Sequence, residues 1–444
     1  MADTSLPTRS LTAAFGAGTF GSTLSSGVVP LMFLFYLTEF AHVPPALAGV
    51  LLAIPKVSDV LLDPWIGRRT DSWAHRLGSR GALLAFTTLL LPVLLILLFI
   101  PFDSLALSLR AFLIGVLLVA QSLLLTVFSV AHTALAGDIT DTMAGRSTLM
   151  AARALGQTFA GLLVSILAPQ LVAAMGAGST GYLGMAAILA CAALLALGLC
   201  WLAVRRIPLR TGMEAKATVP LRLALQHTLR NRRFYCVVLI LITLGAGSTA
   251  LFAALPYANQ HLLKAGPQNL SALLTPIFVA LLAGVSVAPT LARRFRPNTV
   301  LTVALLLAFV GSIWFAAGPR ENGAMIAGGL LFGFSFGVLT VLISTLAIEA
   351  ATSSSSQGES LGLYLGILFS AEKLGQSLGG IAVGFGLEWV GSLQGTPAPA
   401  ALQRLATLFV GVPAAALLAA LLALLALMLL AVRKGTQSNK EYQA

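Results

Sequence analysis

The sequence predicts an all-α membrane protein of about twelve membrane-spanning helices in two pseudo-symmetric six-helix bundles. Of its 444 residues, 58% are hydrophobic and only 9% are charged, whereas soluble domains carry roughly 25% charged residues. Apolar stretches of about 20 residues, which suffice to cross a bilayer core of about 30 Å as a helix, recur from position 11 to position 432. We therefore expect the lipid bilayer to be the solvent of this chain.

Apolar windows separated by polar, glycine or proline residues predict six helices in each half of the chain. The first six are predicted at 11–40, 44–66, 81–101, 107–135, 147–171 and 180–204. The second six are predicted at 233–258, 270–292, 298–318, 323–350, 360–390 and 403–432. We accordingly predict an N-terminal bundle at 1–204, a cytoplasmic linker at 205–232, and a C-terminal bundle with a short tail at 233–444. The first window is too long for a signal peptide, so we expect it to be a helix of the mature protein.

The net charge of +12 raises the question of a nucleic-acid partner. The basic residues, however, fall mainly in every second loop, which is the bias of helical membrane proteins toward positive cytoplasmic loops. We therefore expect no nucleic-acid partner. We expect the protein to lie in the inner membrane of a bacterium, with both termini and the linker on the cytoplasmic side. The three cysteines lack the spacing of a metal site or a disulfide framework, and we interpret them as packing residues.

Two six-helix halves joined by a cytoplasmic linker are the layout of major facilitator transporters, whose substrate site lies between the halves near the bilayer midplane. The sequence contains no Walker-type glycine-rich lysine motif and no His-Glu-x-x-His metal motif. We therefore expect no enzymatic activity and no cofactor, and we expect an ion gradient to drive transport. We also expect a monomer that meets only its small-molecule substrate and the bilayer.

Ionisable residues inside predicted helices need an explanation, because each costs about 2.5 to 3.5 kcal/mol near the bilayer centre on insertion scales. Lys56, Asp59 and Asp63 lie on one face of the second predicted helix. Two carboxylates one turn apart can hold a monovalent cation or share a proton, which predicts a coupling site for Na⁺ or H⁺. The alternative is that Asp63, which precedes a proline, anchors a cytoplasmic gate by ion pairing. Lys373 in the eleventh helix is either functional or a buried structural partner of a carboxylate.

Two other predicted helices carry polar residues. On the fourth helix Ser122, Thr126, Ser129 and Thr133 recur at helical spacing and predict one cavity-facing stripe. His132 beside them is better interpreted as a packed or hydrogen-bonded core residue than as a proton relay. The first helix is rich in small and polar residues, which allow close helix packing.

Several segments resemble the glycoside-pentoside-hexuronide:cation symporters, the melibiose-permease branch of the major facilitator superfamily. The segments are Phe15–Gly21, Phe35–Phe40, Lys56–Gly67, Ala131–Thr140 and Gly358–Gly380. The resemblance keeps order and spacing over most of the chain.

The resemblance implies roles for individual residues. It implies a coupling-cation site at Asp59, Asp63 and Thr126, with no other metal. It implies substrate contacts at Arg153 and Lys373, and we predict further substrate contacts at Thr19, Thr23, Ser129, Thr133 and Gln376. We predict coupling or gating at Lys56, Asp59, Lys373, Arg68, Asp71 and Arg146. In this assignment Lys373 links the sugar and cation sites, and Lys56 replaces the arginine of the family.

The sequence departs from the melibiose permease at the sugar site. Thr23 and Ser129 stand where that permease has two aspartates, and Thr133 stands where it has a tryptophan. Since charged acceptors make strong hydrogen bonds to sugar hydroxyls, we expect weak galactoside binding. The leading hypothesis is a cation-coupled symporter of a small polar solute, such as a sugar or glycoside-like compound. The alternatives are an amphipathic or anionic substrate such as a lysophospholipid, and a non-transporting scaffold.

Overall fold

The computed structural model describes residues 7–140, 142–209, 232–317, 322–354, 361–393 and 397–441. Within those ranges every regular element is a helix. In the first half these are α1 (Arg9–Ser26), a π-helical turn (Val29–Phe33), α2 (Leu34–Glu39), α3 (Pro45–Leu77), α4 (Arg80–Leu98), α5 (Leu107–Ile139), α6 (Met143–Ala174) and α7 (Ser179–Val204). In the second half they are α8 (Arg232–Tyr257), a π-helical turn (Ala258–Leu262), α9 (Gln268–Arg294), α10 (Pro297–Ala317), α11 (Asn322–Ser354), α12 (Leu361–Val390) and α13 (Pro399–Glu441).

The helices have the length and composition of membrane spans. In the described part of the chain, 11 helical stretches are long and apolar enough to cross a bilayer. A further long helix, α12, carries Glu372, Lys373 and Glu388 within its 30 residues. Large apolar side chains such as Leu61 and Leu195 are each 70% exposed, as expected where the surrounding solvent is lipid. The predicted all-α membrane fold is confirmed.

The first predicted helix is not continuous. A π-helical turn at Val29–Phe33 separates α1 from α2 and contains Pro30. Proline has no N–H to donate and its ring displaces the preceding turn, and wider π turns are a common way to accommodate such an interruption. Hydropathy does not predict this interruption, because Pro30 lies within an otherwise apolar run.

Helix α3 extends well beyond its predicted end at 66. Arg69 and Arg76 belong to the helix, which ends at Leu77 where Gly78 adopts a left-handed conformation with φ of 69°. The Arg69 guanidinium lies 5.4 Å from the centre of the Trp65 ring. Apolar windows mark the part of a helix inside the bilayer, whereas backbone hydrogen bonding continues into water.

Contacts divide the chain into two compact units. The N-terminal unit contains α1–α7 together with Asn259–Thr275, and the C-terminal unit contains most of α8–α13. In the N-terminal unit α1 packs on α6 and α7, and α4 packs on α5 and α7. In the C-terminal unit α8 packs on α12 and α13, and α10 packs on α11 and α13. The same pairing of first, third, fourth, fifth and sixth spans thus occurs in both units.

Helix α5 is held at both ends by arginines. Near its start, Arg110 donates to the carbonyls of Ala41, Asp103 and Leu105, the last two at 3.2 and 3.0 Å. Near its end, Asp138 forms a buried ion pair with Arg80 of α4. These contacts fix the axial position of α5 against its neighbours.

Candidate functional site

Two hydroxyl–carboxylate hydrogen bonds join α3 and α5. The Ser122 hydroxyl donates to Asp59 Oδ1 at 2.6 Å, and the Thr126 hydroxyl donates to Asp63 Oδ1 at 3.0 Å. Both pairs are spaced by four residues on each helix, so the residue numbers rise in the same direction and the two helices run parallel here. We call these four residues the α3–α5 ladder.

The ladder is mostly removed from solvent. Asp59 is 4% exposed, and Asp63 and both hydroxyl residues are half-buried. Lys56 is also half-buried, one turn before Asp59 on α3. Hydrogen bonds to an ionised carboxylate are stronger than neutral ones. The ladder therefore provides two positioned carboxylates and two hydroxyl oxygens within one helix interface.

Further along the same face of α5, Arg153 of α6 contacts two more hydroxyl residues. Its guanidinium donates to Ser129 Oγ at 2.8 Å and to Thr133 Oγ1. Thr133 in turn donates to the Ser129 carbonyl at 2.6 Å. The predicted stripe on α5 thus meets carboxylates over its first two residues and a guanidinium over its last two.

Helix α1 contacts the same region. The buried Thr19 hydroxyl donates to the Arg153 carbonyl at 2.9 Å, which ties α1 to α6. Gln121 of α5 donates to the Ser25 carbonyl at 2.7 Å. Thr23 is half-buried on α1. The structure therefore joins α1 to α6 at Arg153 and to α5 at Gln121.

His132 is fully buried between two aromatic rings. Its ring stacks on Phe15 at 3.9 Å and on Phe128 at 5.1 Å between centroids. Its Nε2 lies 3.0 Å from the Phe15 carbonyl oxygen. These contacts agree with the interpretation of His132 as a packed, hydrogen-bonded core residue.

Lys373 and Gln376 belong to the C-terminal unit. Both are half-buried on α12, where Ser377 donates to the Lys373 carbonyl at 3.2 Å and Gln376 Nε2 donates to Glu372 Oε1 at 3.4 Å. The backbone of α12 approaches α8 so closely that a Cβ added to Gly375 would lie 2.1 Å from the Ile242 carbonyl oxygen. The predicted link between Lys373 and the cation site stays a prediction.

Of the predicted coupling or gating residues, Arg146 lies near the start of α6. Arg146 of α6 donates through Nε to the Thr140 carbonyl at 3.1 Å and so closes the turn between α5 and α6. The side chains of Arg68 and Asp71 lie outside the described residues.

The family was found by comparison of the whole sequence. The sequence model of the MFS/sugar transport protein family matches residues 14–430. The chain belongs to this family. The resemblance to cation symporters of the major facilitator superfamily is confirmed, and the protein is an integral membrane secondary transporter that has a small-molecule substrate.

Relatives are symporters or transporters by name. The isoprimeverose transporter of Lactiplantibacillus pentosus is 21% identical over 84% of this chain and 78% of its own length. The inner membrane symporter YicJ of Escherichia coli is 24% identical over 85% of this chain and 82% of its own length. An uncharacterised Synechocystis symporter is 42% identical over 67 residues, which make up 15% of this chain and 12% of that protein.

A solved structure supports the fold. The crystal structure of the nucleoside transporter NupG aligns with a TM-score of 0.70 at 12% identity, covering 94% of this chain and 99% of that chain. At this identity the likeness shows the major facilitator fold alone.

Two contacts in this member of the sugar transport family were missed in the sequence. Ser122 belongs to the predicted stripe but not to the predicted cation site, although its spacing of four residues from Thr126 matches the spacing of Asp59 and Asp63. No sequence pattern indicates the ion pair of Asp138 and Arg80, because the two residues lie on different helices and sequence spacing carries no signal for such a pair.

The N-terminal unit presents carboxylate and hydroxyl oxygens in the ladder and a guanidinium at Arg153. No group of three His, Cys, Asp or Glu side chains that could hold a metal ion occurs among the residues that the structure describes. The oxygens of the ladder are hard ligands, which suit a hard monovalent cation or a proton rather than a transition metal.

Proposed function

We propose that this protein is a cation-coupled symporter that imports a small polar solute, a sugar or glycoside-like compound, by alternating access. The observation that carries the proposal is the α3–α5 ladder, in which Asp59 and Asp63 each accept a hydroxyl hydrogen bond inside a membrane-spanning interface. Intramembrane carboxylates are expensive and characteristically mark ion pathways.

The charge on α3 supports a monovalent coupling ion. This face carries two carboxylates and the ammonium of Lys56, so two negative charges and one positive charge leave a formal charge of −1. Either Na⁺ or H⁺ neutralises that charge. Each hydroxyl donates a hydrogen bond to a carboxylate and keeps lone pairs on its oxygen, which would be available to a bound Na⁺.

The contacts of Arg153 support a polar solute next to the ion. Its guanidinium carries several donors and the Ser129 and Thr133 hydroxyls carry acceptors, which together match the hydroxyls of a sugar. Because the ladder and the Arg153 contacts lie on one face of α5, ion binding on α3 and solute binding near α6 would act on the same helix. That shared helix provides a physical route for coupling.

The family and its relatives favour a sugar over an amphipathic substrate. One relative is named an isoprimeverose transporter, and the other long relative is an inner membrane symporter. We propose the same membrane here, with both termini in the cytoplasm because basic residues concentrate in the loops on that side. In this proposal the transporter works as a monomer.

The test is uptake into proteoliposomes with a panel of labelled sugars and glycosides. Each compound is offered with an inward Na⁺ gradient, with an inward proton gradient and with neither. We expect one compound class to accumulate above its external concentration under one of the two gradients. Equilibration without accumulation under both gradients would refute coupling, and a lack of sugar flux with uptake of lysophospholipids would refute the substrate class.

A further inference from the structure

In the N-terminal unit the first and fifth spans meet in backbone contact beside Arg153. A Cβ added to Gly156 of α6 would lie 2.2 Å from the Gly16 carbonyl oxygen of α1, a distance that only glycine allows. Arg153 precedes Gly156 by three residues, and Thr19 follows Gly16 by three residues. These two also meet, because the Thr19 hydroxyl donates to the Arg153 carbonyl at 2.9 Å. Arg153 therefore lies one turn from a point where two helix backbones touch.

The C-terminal unit repeats this arrangement with a different side chain. A Cβ added to Gly375 of α12 would lie 2.1 Å from the Ile242 carbonyl oxygen of α8. Three residues before Gly375 lies Glu372, and three residues after Ile242 lies Gly245. A Cβ added to Gly245 would lie 2.7 Å from the Glu372 carbonyl oxygen. Glu372 therefore occupies the position on the fifth span of its unit that Arg153 occupies in the other unit.

The position of Glu372 makes a bulk-solvated surface role a poor explanation for it. It is half-buried and lies more than ten residues from either end of α12, where an ionisable group is costly and characteristically functional. Gln376, one turn further on, donates to Glu372 Oε1 at a long distance of 3.4 Å. An ionised carboxylate has about four acceptor positions, so Glu372 can accept further hydrogen bonds in addition to those within the protein.

The two equivalent residues have complementary chemistry. A guanidinium only donates hydrogen bonds, whereas a carboxylate only accepts them. The hydroxyls of a sugar can do both, because each has a proton to donate and lone pairs to accept with. In transporters built from internal repeats, both repeats contribute to the substrate site. The equivalence therefore assigns to the C-terminal unit an acceptor that matches the donors of Arg153.

We propose that Glu372 binds the solute and selects neutral sugars and glycosides over anionic ones. Its carboxylate accepts hydrogen bonds from solute hydroxyls, and its negative charge repels the carboxylate of a sugar acid, which is specificity by repulsion. This inference rests on the proposed function and narrows the substrate class within it.

The experiment compares two probes that differ only at C6, labelled methyl β-D-glucoside and methyl β-D-glucuronide, in uptake by proteoliposomes. Methyl β-D-xyloside, which lacks C6, is a second neutral probe. We expect the unchanged protein to have a lower half-saturating concentration for the neutral probes. Glu372→Gln should raise that concentration about tenfold, as for loss of a hydrogen bond to a charged group, and should lower the value for the glucuronide. Opposite changes for two probes cannot come from misfolding.

Glu372→Asp is the second variant, since it keeps the charge but shortens the side chain. It should weaken the neutral probes and should not improve the glucuronide. Glu388→Gln is the matched control, because Glu388 is an exposed glutamate of the same helix, and it should change neither kind of probe. The thermal unfolding midpoint of each variant shows whether it is folded.

The outcomes separate this inference from the proposed function. Glu372→Gln with unchanged half-saturating concentrations, or with an equal change for neutral and anionic probes, would overturn the role of Glu372 while sugar accumulation by the unchanged protein still supports the symporter. A preference of the unchanged protein for the glucuronide would overturn the role as well. Failure of the unchanged protein to accumulate any sugar under either gradient would instead refute the proposed function, and this inference with it.

Discussion

Asp59 of α3, which is 4% exposed, accepts a 2.6 Å hydrogen bond from the Ser122 hydroxyl of α5. One turn further along both helices, Thr126 donates to Asp63. A buried carboxylate without hydrogen bonds would cost several kcal/mol, and the hydroxyls of α5 lower that cost for the acidic face of α3. The same hydroxyls orient the carboxylate oxygens, which is the requirement for a selective cation site.

Replacing Asp59 by asparagine should abolish gradient-driven accumulation and leave exchange. The amide keeps the shape of the side chain and a hydrogen-bonding oxygen but removes the negative charge that a cation needs. In proteoliposomes we expect the internal solute concentration to stop at the external value while counterflow persists. Asp63→Asn should behave in the same way.

A matched control for this experiment is Asp103→Asn, whose side chain is 50% exposed and lies between α4 and α5. That variant should accumulate solute like the unchanged protein. Full concentrative uptake by Asp59→Asn would remove Asp59 from the coupling mechanism.

Removing the Ser122 hydroxyl should weaken the binding of the coupling ion. A hydrogen bond to a charged group contributes about 1.5–3 kcal/mol, and Ser122→Ala deletes that bond to Asp59 together with a hydroxyl oxygen that can ligate a cation. We expect the cation concentration that gives half-maximal uptake to rise about tenfold or more. The measurement is uptake as a function of cation concentration at saturating solute.

The controls for Ser122 are one that keeps the hydroxyl and one that removes a hydroxyl elsewhere. Ser122→Thr should stay near the original cation dependence. Ser286→Ala removes an exposed hydroxyl that donates to the Leu282 carbonyl within α9, and it should have no effect. An unchanged cation dependence in Ser122→Ala would exclude this hydroxyl from the ion site.

The helical membrane fold was predictable because it rests on hydropathy, which is visible along the chain. The interruption at Pro30 and the extension of α3 to Leu77 were not, because hydropathy reports the environment of a segment and not its backbone hydrogen bonding. The shared pattern of helix contacts within each of the two units could be expected only through the resemblance to the major facilitator layout.

The candidate site was predictable where it depends on spacing within one helix. Asp59 and Asp63 share a face by their spacing alone, and so do the four stripe residues of α5. The pairing of Ser122 with Asp59 depends on the axial register of α5 against α3, which is set by tertiary contacts such as Arg80 with Asp138. A single sequence carries no information on that register.

Changing Arg153 to lysine should weaken the binding of the solute and leave the binding of the cation unchanged. The guanidinium reaches both Ser129 and Thr133, and an ammonium cannot reproduce that planar two-point contact. We expect the half-saturating solute concentration of Arg153→Lys to rise about tenfold, as for loss of one charged hydrogen bond, while its cation dependence at saturating solute stays the same. Arg205→Lys, at an arginine over the Trp201 ring, is the matched control. A shift of the cation dependence alone would place Arg153 on the ion side of the mechanism.

Adding a methyl group at Gly156, where α6 packs closely on α1, should destabilise the N-terminal unit. A Cβ added to Gly156 would lie 2.2 Å from the Gly16 carbonyl oxygen, a distance that forces the two helices apart and stretches the hydrogen bond from Thr19 to the Arg153 carbonyl. Overpacking of this kind costs about 1–3 kcal/mol, so Gly156→Ala should unfold at a lower temperature in detergent and bind solute more weakly. Gly198→Ala is the control, because a Cβ at Gly198 meets no atom within 4 Å in the part of the chain that the structure describes and alanine favours the helix. Equal thermal unfolding midpoints for the two variants would show that α1 and α6 can separate without loss, and Arg153 would then not depend on α1 for its position.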